Sequence, residues 1–345
     1  MTIPAPPPAV LEAYGLTGAR LVPISIGWIN QTHRVEVDGR PTIVLQRLHP
    51  AFRGEVNRDI DAITRHLEAH GVPTPRIVTT RDGALWIEHE GATYRALTFL
   101  EGRVVARIDD PAIARSSAGL VARFHAAVAD LEHDFHFVRP GAHDTPLHLA
   151  RLRAAIASVP EGASAVLPIA EEILEYARTL APLPATRTRI IHGDLKITNV
   201  LLEPEGTGAT ALLDLDTLAH GTIAVELGDL LRSWCNRDGE ATVGATADET
   251  IFSAAIEGYA ATGPILDRDE IGSIVLGFET IAMELSARFA LDVIEDRYFG
   301  WDATRWPSRR AHNLARAHTQ LGLARSVRQA RPRLEAIVAR AFDLR

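Results

Sequence analysis

The sequence predicts an α+β chain in two parts, an antiparallel β-rich first hundred residues followed by a mainly helical remainder. Three observations carry this. Short apolar runs up to Phe99 are punctuated by Asp38-Gly39, Asp82-Gly83 and Glu90-Gly91, which are turn dipeptides. From Asp110-Pro111 onward, apolar residues recur at helical spacing instead. Between these helices lies one non-helical stretch, Ile191-His192-Gly193-Asp194-Leu195-Lys196-Ile197-Thr198-Asn199, with Leu212-Leu213-Asp214-Leu215-Asp216 after it.

In order along the chain, Ala9 to Tyr14 reads as a short helix ended by Gly15. Arg20 to Ile26, Thr32 to Val37 and Thr42 to Arg47 form a meander whose first loop is Gly27-Trp28-Ile29-Asn30-Gln31. Glu55 to His70 reads as a helix, with Val56, Ile60, Ile63 and Leu67 on one face and Gly71 as its stop. Arg76 to Val78, Ala84 to Glu88 and Thr93 to Phe99 complete the β-rich part, so the division falls between residues 1–100 and 101–345. The second part begins with a helix at Asp110-Pro111. Further helices are expected over Thr145 to Ser158, Ile169 to Leu180, from Val225, over Ala241 to Ala261 and Asp267 to Arg297, and from Ser308 to Arg331, where Pro332 stops the last. The ten arginines after Ala303 read as a solvated face.

A net charge of −8 gives no case for a nucleic-acid partner. No apolar run reaches the ~20 residues of a membrane span, and Ile271 to Leu285 is broken by Glu279 and Glu284. Cys235 is the only cysteine, which fits a reducing cytosol. Met1 to Pro8 lacks the basic and apolar regions of a secretory leader, so a cytoplasmic location is expected. His66 and His70 lack a third ligand and are expected at the surface. His133, His136 and His143 lack tight ligand spacing and read as polar loop residues beside a cleft.

The central stretch carries the chemistry. Arg189-Ile190-Ile191 reads as a strand, and a polar loop leaves it. Val200 to Leu202 and Ala211 to Leu213 bracket the turn Glu203-Pro204-Glu205-Gly206, which places Asp194, Asn199 and Asp214 together. An Asp in such a loop can orient and deprotonate a hydroxyl, while Asn and a second Asp are the oxygen ligands Mg²⁺ takes beside phosphate. Asp194 is therefore the expected base, Asn199 and Asp214 the metal ligands, and Asp216 the holder of a second metal or a water. Lys196 is the only lysine among 36 Lys and Arg. Its compact ammonium suits a phosphoryl group in motion, although chance retention on an exposed loop would leave the same trace. Asp229 reads either as a buried carboxylate taking N–H groups of this loop or as a plain helix N-terminal acid.

His-x-Asp-Leu-x-x-x-x-Asn followed by Asp resembles the catalytic-loop and metal-Asp pair of kinases. Gly193 in place of Arg, and Leu215-Asp216-Thr217 in place of Phe-Gly, turn the resemblance toward the phosphotransferase-enzyme superfamily of aminoglycoside and choline kinases. Gly27-Trp28-Ile29-Asn30-Gln31-Thr32, Val44-Leu45-Gln46-Arg47 and Leu213-Asp214-Leu215-Asp216-Thr217 resemble motifs of N-acetylhexosamine 1-kinases within it. The resemblance implies a two-lobed protein-kinase-like fold with ATP in the cleft. Gly27 and Asn30 would cover the phosphates, and Gln46 would stand where kinases carry a strand lysine. Asp59 or Asp61 would stand where kinases place the acid that pairs with that lysine. Phe99 and Leu100 would form the hinge that meets adenine. Glu284, Arg288-Phe289, Tyr298-Phe299 and Asn313 to Arg316 also resemble that group, which implies that Arg288 and Tyr298 face a sugar.

The expected activity is ATP- and Mg²⁺-dependent phosphorylation of a sugar hydroxyl, with the anomeric hydroxyl of an N-acetylhexosamine or related sugar as the candidate. Aminoglycoside, choline and homoserine kinases are the alternatives within the class, and a non-catalytic kinase-like binding module is the alternative outside it. Choline kinases need an aromatic cage, which 6% aromatic content does not favour.

Overall fold

The computed structural model describes residues 3–24, 30–236, 239–242 and 244–343. The first part is a six-stranded antiparallel sheet. Strands β1 (Arg20–Ile24), β2 (Gln31–Val37), β3 (Arg40–Arg47) and β6 (Ala92–Thr98) lie side by side, and β4 (Ile77–Val78) and β5 (Ile87–His89) both pair with β6. Asp38 and Gly39 take φ of 51° and 75°, so the β2–β3 connection is the tight turn its sequence predicts. The short helix α1 (Pro8–Ala13) covers one face of this sheet, where Val10, Tyr14, Val35, Leu45 and Ala96 form a small core.

Helix α2 (Val56–Ala69) belongs to the β-rich part by sequence. Its apolar face, Val56, Ile60, Ile63 and Leu67, joins instead the large core of the helical part. It is thus the element through which the two parts share hydrophobic surface, and burial of such a face contributes on the order of 1.5–3 kcal/mol per side chain.

The helical part contains α3 (Pro111–Ala127), α4 (Thr145–Ala155), α5 (Leu167–Arg178), α6 (Ile223–Trp234), α7 (Glu249–Thr262), α8 (Arg268–Glu295) and α9 (Arg309–Ala341). Asp110 caps α3 by accepting from the Ala112 N–H at 2.8 Å. Asp267 and Glu270 form a reciprocal capping box on α8. Helix α8 is the axis of this part, packed between α6 and α9. Gly277 lets α6 approach: a Cβ there would lie 2.0 Å from the Ala224 carbonyl oxygen.

Three expectations are corrected. The helix placed over Ala241 to Ala261 begins only at Glu249, with Asp248 as its cap. Helix α9 does not stop at Pro332 but runs through it to Ala341. Proline removes one helical hydrogen bond, but Leu334 and Val338 beyond it are buried in the core and hold the last turns in place. The arginines of α9 are not simply solvated either. Arg328 and Arg331 both grip Glu279, a fully buried carboxylate of α8 that also accepts from Tyr176. Among the described residues, no helix is long and apolar enough to cross a membrane.

Two small sheets frame the central stretch. β7 (Arg189–Ile191) pairs with β10 (Ala219–Gly221), and β8 (Val200–Leu202) pairs with β9 (Ala209–Leu212). The loop from 192 to 199 and the segment from 213 to 218 are therefore held at their ends by antiparallel ladders. The segment after β6 is tied to the same hairpin by mutual backbone hydrogen bonds of Arg103 and Leu202 at 3.0 and 2.9 Å.

Candidate active site

The loop after β7 is fixed from beneath by two carboxylates of α6. Glu226 accepts from the backbone N–H groups of His192 at 2.8 Å and Gly193 at 2.9 Å. Asp229, one turn on, accepts from Leu195 N–H at 2.7 Å, the role read for it as a buried carboxylate. Trp234 Nε1 donates to the Leu195 carbonyl at 2.8 Å. Glu226 is wholly buried and rests 3.0 Å from His125 Nε2 of α3. Burial alone would raise its pKa, but the His125 contact and the loop N–H groups hold the carboxyl below its usual range.

Gly193 has φ of +75°, and a Cβ there would sit 2.6 Å from the Thr217 carbonyl oxygen. This accounts for glycine where protein kinases carry arginine.

Asp194, Asn199 and Asp214 do converge. Asn199 Nδ2 donates to Asp194 O at 2.8 Å and to its Oδ2 at 3.2 Å. Lys196 Nζ donates to Asp194 Oδ2 and lies 3.9 Å from Asp214 Oδ2. Burial pushes the Asp194 carboxyl up, but the Lys196 charge and hydrogen bond outweigh it and hold it well below the usual range. Burial likewise acts against the Lys196 ammonium, but Asp194 and Asp214 hold it charged. Asp214 differs: burial and the neighbouring Asp216 raise it to about 6, against the pull of Lys196. Two carboxylates, Asp194 and Asp214, thus share one ammonium. The donors left facing outward, Asn199 Oδ1 and the Asp214 carboxylate, are all oxygen, a set that fits a hard divalent cation.

Asp216, expected to hold a second metal or a water, is 3% exposed and held by a forked ion pair from Arg95 of β6, with Nη2 3.0 Å from Oδ2. Asn30 Nδ2 donates to the same Oδ2 at 2.7 Å, while Asn30 Oδ1 accepts from His49 N–H at 2.9 Å. Both oxygens of Asp216 are taken. Gln46 Oε1 accepts from Arg95 Nε at 2.9 Å and its Nε2 donates to Thr32 Oγ1 at 3.2 Å, so the amide braces Arg95. Asn57 Oδ1 of α2 accepts from Arg95 Nη1 at 3.4 Å, on the helix where the resemblance would put an acid in the place that pairs a strand lysine. Asp59, one of the two candidates for that place, instead accepts from His133, His136 and two backbone N–H groups. Gly27 lies outside the described residues. Phe99 is held by its N–H to the Thr42 carbonyl at 3.0 Å, and with Leu100 it is half-buried at the junction of the two parts.

On the other side of Asp194, Arg288 and Tyr298 lie in one cluster with residues the sequence reading passed over. Arg139, from the His-rich loop, donates to Tyr298 Oη, and its guanidinium carbon is 5.0 Å from that ring centre. Burial lowers its pKa, and Arg288 acts in the same direction, while Tyr298 and Asp194 oppose them. His143, read as a loop residue beside the cleft, has its side chain 11% exposed, with Nε2 3.1 Å from Gly193 O and Nδ1 3.4 Å from Glu284 Oε1, an ion-pair distance without hydrogen-bond alignment. Glu284 also accepts from Thr145 Oγ1 at 2.6 Å and lies 3.6 Å from Arg288 Nη1. The turn that carries Tyr298 is built on Asp292, which accepts from the N–H groups of Arg297, Tyr298 and Phe299 and from Asn313 Nδ2.

Comparison with known proteins bears on the family and the fold. The model of the phosphotransferase enzyme family matches residues 20–264. Among solved structures, an aminoglycoside phosphotransferase from Alicyclobacillus acidocaldarius is 20% identical with a TM-score of 0.61, over 96% of this chain and 98% of that one. A microcompartment-associated aminopropanol kinase is 14% identical with a TM-score of 0.64, over 93% and 96%. An amicoumacin kinase in complex with AMP-PNP and Ca²⁺ is 13% identical with a TM-score of 0.58, over 91% and 90%. At these identities the likeness is one of fold.

Proposed function

The chain belongs to the phosphotransferase enzyme family, a small-molecule kinase, and we propose that it transfers the γ-phosphoryl group of ATP to a hydroxyl of a sugar. One observation carries the choice of acceptor. Beside Asp194 the site presents the guanidinium groups of Arg139 and Arg288 and the Tyr298 hydroxyl, and among the described residues Arg139 has no carboxylate partner. The unmatched Arg139 cation repels a cationic acceptor, and both guanidinium groups offer fork-shaped donors to hydroxyl, acetamido or carboxylate oxygens. The nearby acid, Glu284, is matched by His143 and Arg288 and offers no free charge to an amine. Aminoglycosides and amino alcohols fit such a surface poorly.

In this reading the acceptor hydroxyl hydrogen-bonds to Asp194. Its oxygen forms the new bond to phosphorus as the bond to the β,γ-bridging oxygen breaks and ADP leaves with that electron pair. The acceptor proton passes to Asp194. Asp194 is a weak base while paired with Lys196. That is compatible with phosphoryl transfer, whose loose transition state asks for orientation first and proton removal late. Lys196 holds the carboxylate in place and reaches the transferred group. Asn199 and Asp214 would hold Mg²⁺, which supplies charge neutralisation to the β- and γ-phosphates when bound. Phe99 and Leu100 would line the adenine side. The reading places the enzyme in the cytosol, where its donor is held.

A coupled ADP-release screen tests this, with hexoses, N-acetylhexosamines, aminoglycosides and amino alcohols at equal concentration. Turnover confined to sugars is expected. A best acceptor carrying only amine and hydroxyl groups would overturn the assignment of the acceptor and leave the role of Asp194 standing.

A further inference from the structure

We propose that Asp59, His133 and His136 form a site for one first-row transition cation, of which Zn²⁺ is the best match, clipping α2 to the loop that follows α3. The three donors come from two segments distant in sequence. Asp59 Oδ1 lies 2.9 Å from His133 Nε2 and 2.9 Å from His136 Nδ1, and all three ligand atoms fall within 4.8 Å of one another. The side chain of Asp59 is 1% exposed, that of His133 11% and that of His136 45%, so the site is buried on one side and open to water on the other. Two imidazoles, a carboxylate and a water make a four-coordinate set of the kind zinc takes.

The hydrogen bonding of Asp59 is the second observation. Oδ1 faces three donors at once, the two ring nitrogens and the His136 backbone N–H at 2.9 Å, whereas a carboxylate oxygen has two lone-pair directions. Oδ2 is occupied separately by Phe137 N–H at 3.0 Å. A cation replaces the two ring protons, leaves one N–H on Oδ1 and resolves the excess. Ligand atoms about 2.0 Å from Zn²⁺ stand ~3.3 Å apart, so small side-chain shifts suffice. The backbone N–H groups on Asp59 orient it, as outer contacts do in metal sites. A second group, His66, His70 and Asp130, is weaker: His66 Nε2 already faces the Ala127 carbonyl at 2.9 Å, and the rings of His66 and His70 pack at 4.3 Å.

The clip would act on the catalytic region through the helix. Asp59 follows Asn57, which backs Arg95 in the Arg95–Asp216 pair. The loop end is fixed as well, because His220 of β10 contacts the His133 carbonyl at 3.0 Å.

The test uses the whole protein, stripped with a chelator and held in excess Mg²⁺ so that Asn199 and Asp214 do not compete. Titration with Zn²⁺ by calorimetry, and with Co²⁺ by visible absorption, should show one tight site per chain with the strong bands of low-coordinate Co²⁺. Zn²⁺ should raise the Tm. His136→Ala and His133→Gln should each weaken binding by on the order of tenfold or more and abolish the Tm rise, while His66→Gln changes neither. His136 is half-exposed, so its variant decides alone if His133→Gln fails to fold. Absence of tight Zn²⁺ binding under Mg²⁺, or binding that survives His136→Ala, would overturn the proposal.

Discussion

Arg95 and Asp216, 121 residues apart in sequence, form a forked ion pair with side chains 1% and 2% exposed. It joins the β-rich sheet to the segment that carries Asp214. Removing one partner strands the other as a buried charge. Arg95→Met should cost about 3–5 kcal/mol, read as a lower urea midpoint. Arg95→Met combined with Asp216→Leu should recover much of that stability without recovering turnover. A double variant no more stable than the single one would show that the pair's geometry, and not its charge, holds the sheet.

Asp194→Asn tests the base. Turnover should fall by about 10²–10⁴-fold, the range for a positioned proton acceptor, while ATP affinity measured by calorimetry stays within about twofold of the native value. Turnover close to native would sink the assignment of Asp194.

The strain at Gly193 predicts a sharp response to one methyl group. With φ at +75° and the Thr217 carbonyl 2.6 Å from the added atom, Gly193→Ala should destabilise the protein by about 1–3 kcal/mol and remove most activity. A fully active, equally stable variant would mean that the loop takes another course.

Arg139→Met should raise the KM for the acceptor by about 10–100-fold, the loss of one charged hydrogen bond, and leave the KM for ATP unchanged. An effect on ATP alone would move Arg139 to the phosphate side of the cleft.

Acid stability should depend on His312. Burial and then the Arg316 charge push its pKa down to about 4, and its ring stacks on Trp306 at 5.0 Å. The unfolded chain takes up this proton near pH 6.5, before the folded chain does. The contribution is therefore complete above about pH 6.5 and is lost as pH falls toward 4. Tryptophan fluorescence and denaturant midpoints between pH 7 and 4 should show this loss, and His312→Gln should flatten it.

Local chemistry was the legible part of this chain. Asp38-Gly39 announces its turn, Asp110-Pro111 its helix start, and the loop from His192 to Asn199 its function, because each depends on neighbours in sequence. Arg95 was not legible. Its partner is Asp216, its brace is Gln46, and nothing near Arg95 in sequence marks either. Arg139 went unmarked, and His143 read only as a polar loop residue beside a cleft, because a loop has no periodicity to say which side chains turn inward. Glu226 reads as an ordinary first-turn acid of α6 until its two loop N–H groups are seen. At Pro332 a sound local rule was outweighed by burial of Leu334 and Val338.

The single lysine has a practical consequence. Apart from the α-amino group, Lys196 is the one primary amine the chain offers, and it lies against Asp194 in the catalytic loop. An amine-selective reagent is thus an address for one atom. The ammonium is held charged by Asp194 and Asp214, so acylation should be slow while that contact is closed. It should quicken in Asp194→Asn. Labelling rate becomes a gauge of how often the loop lets its lysine go, obtained without engineering a reporter into the protein.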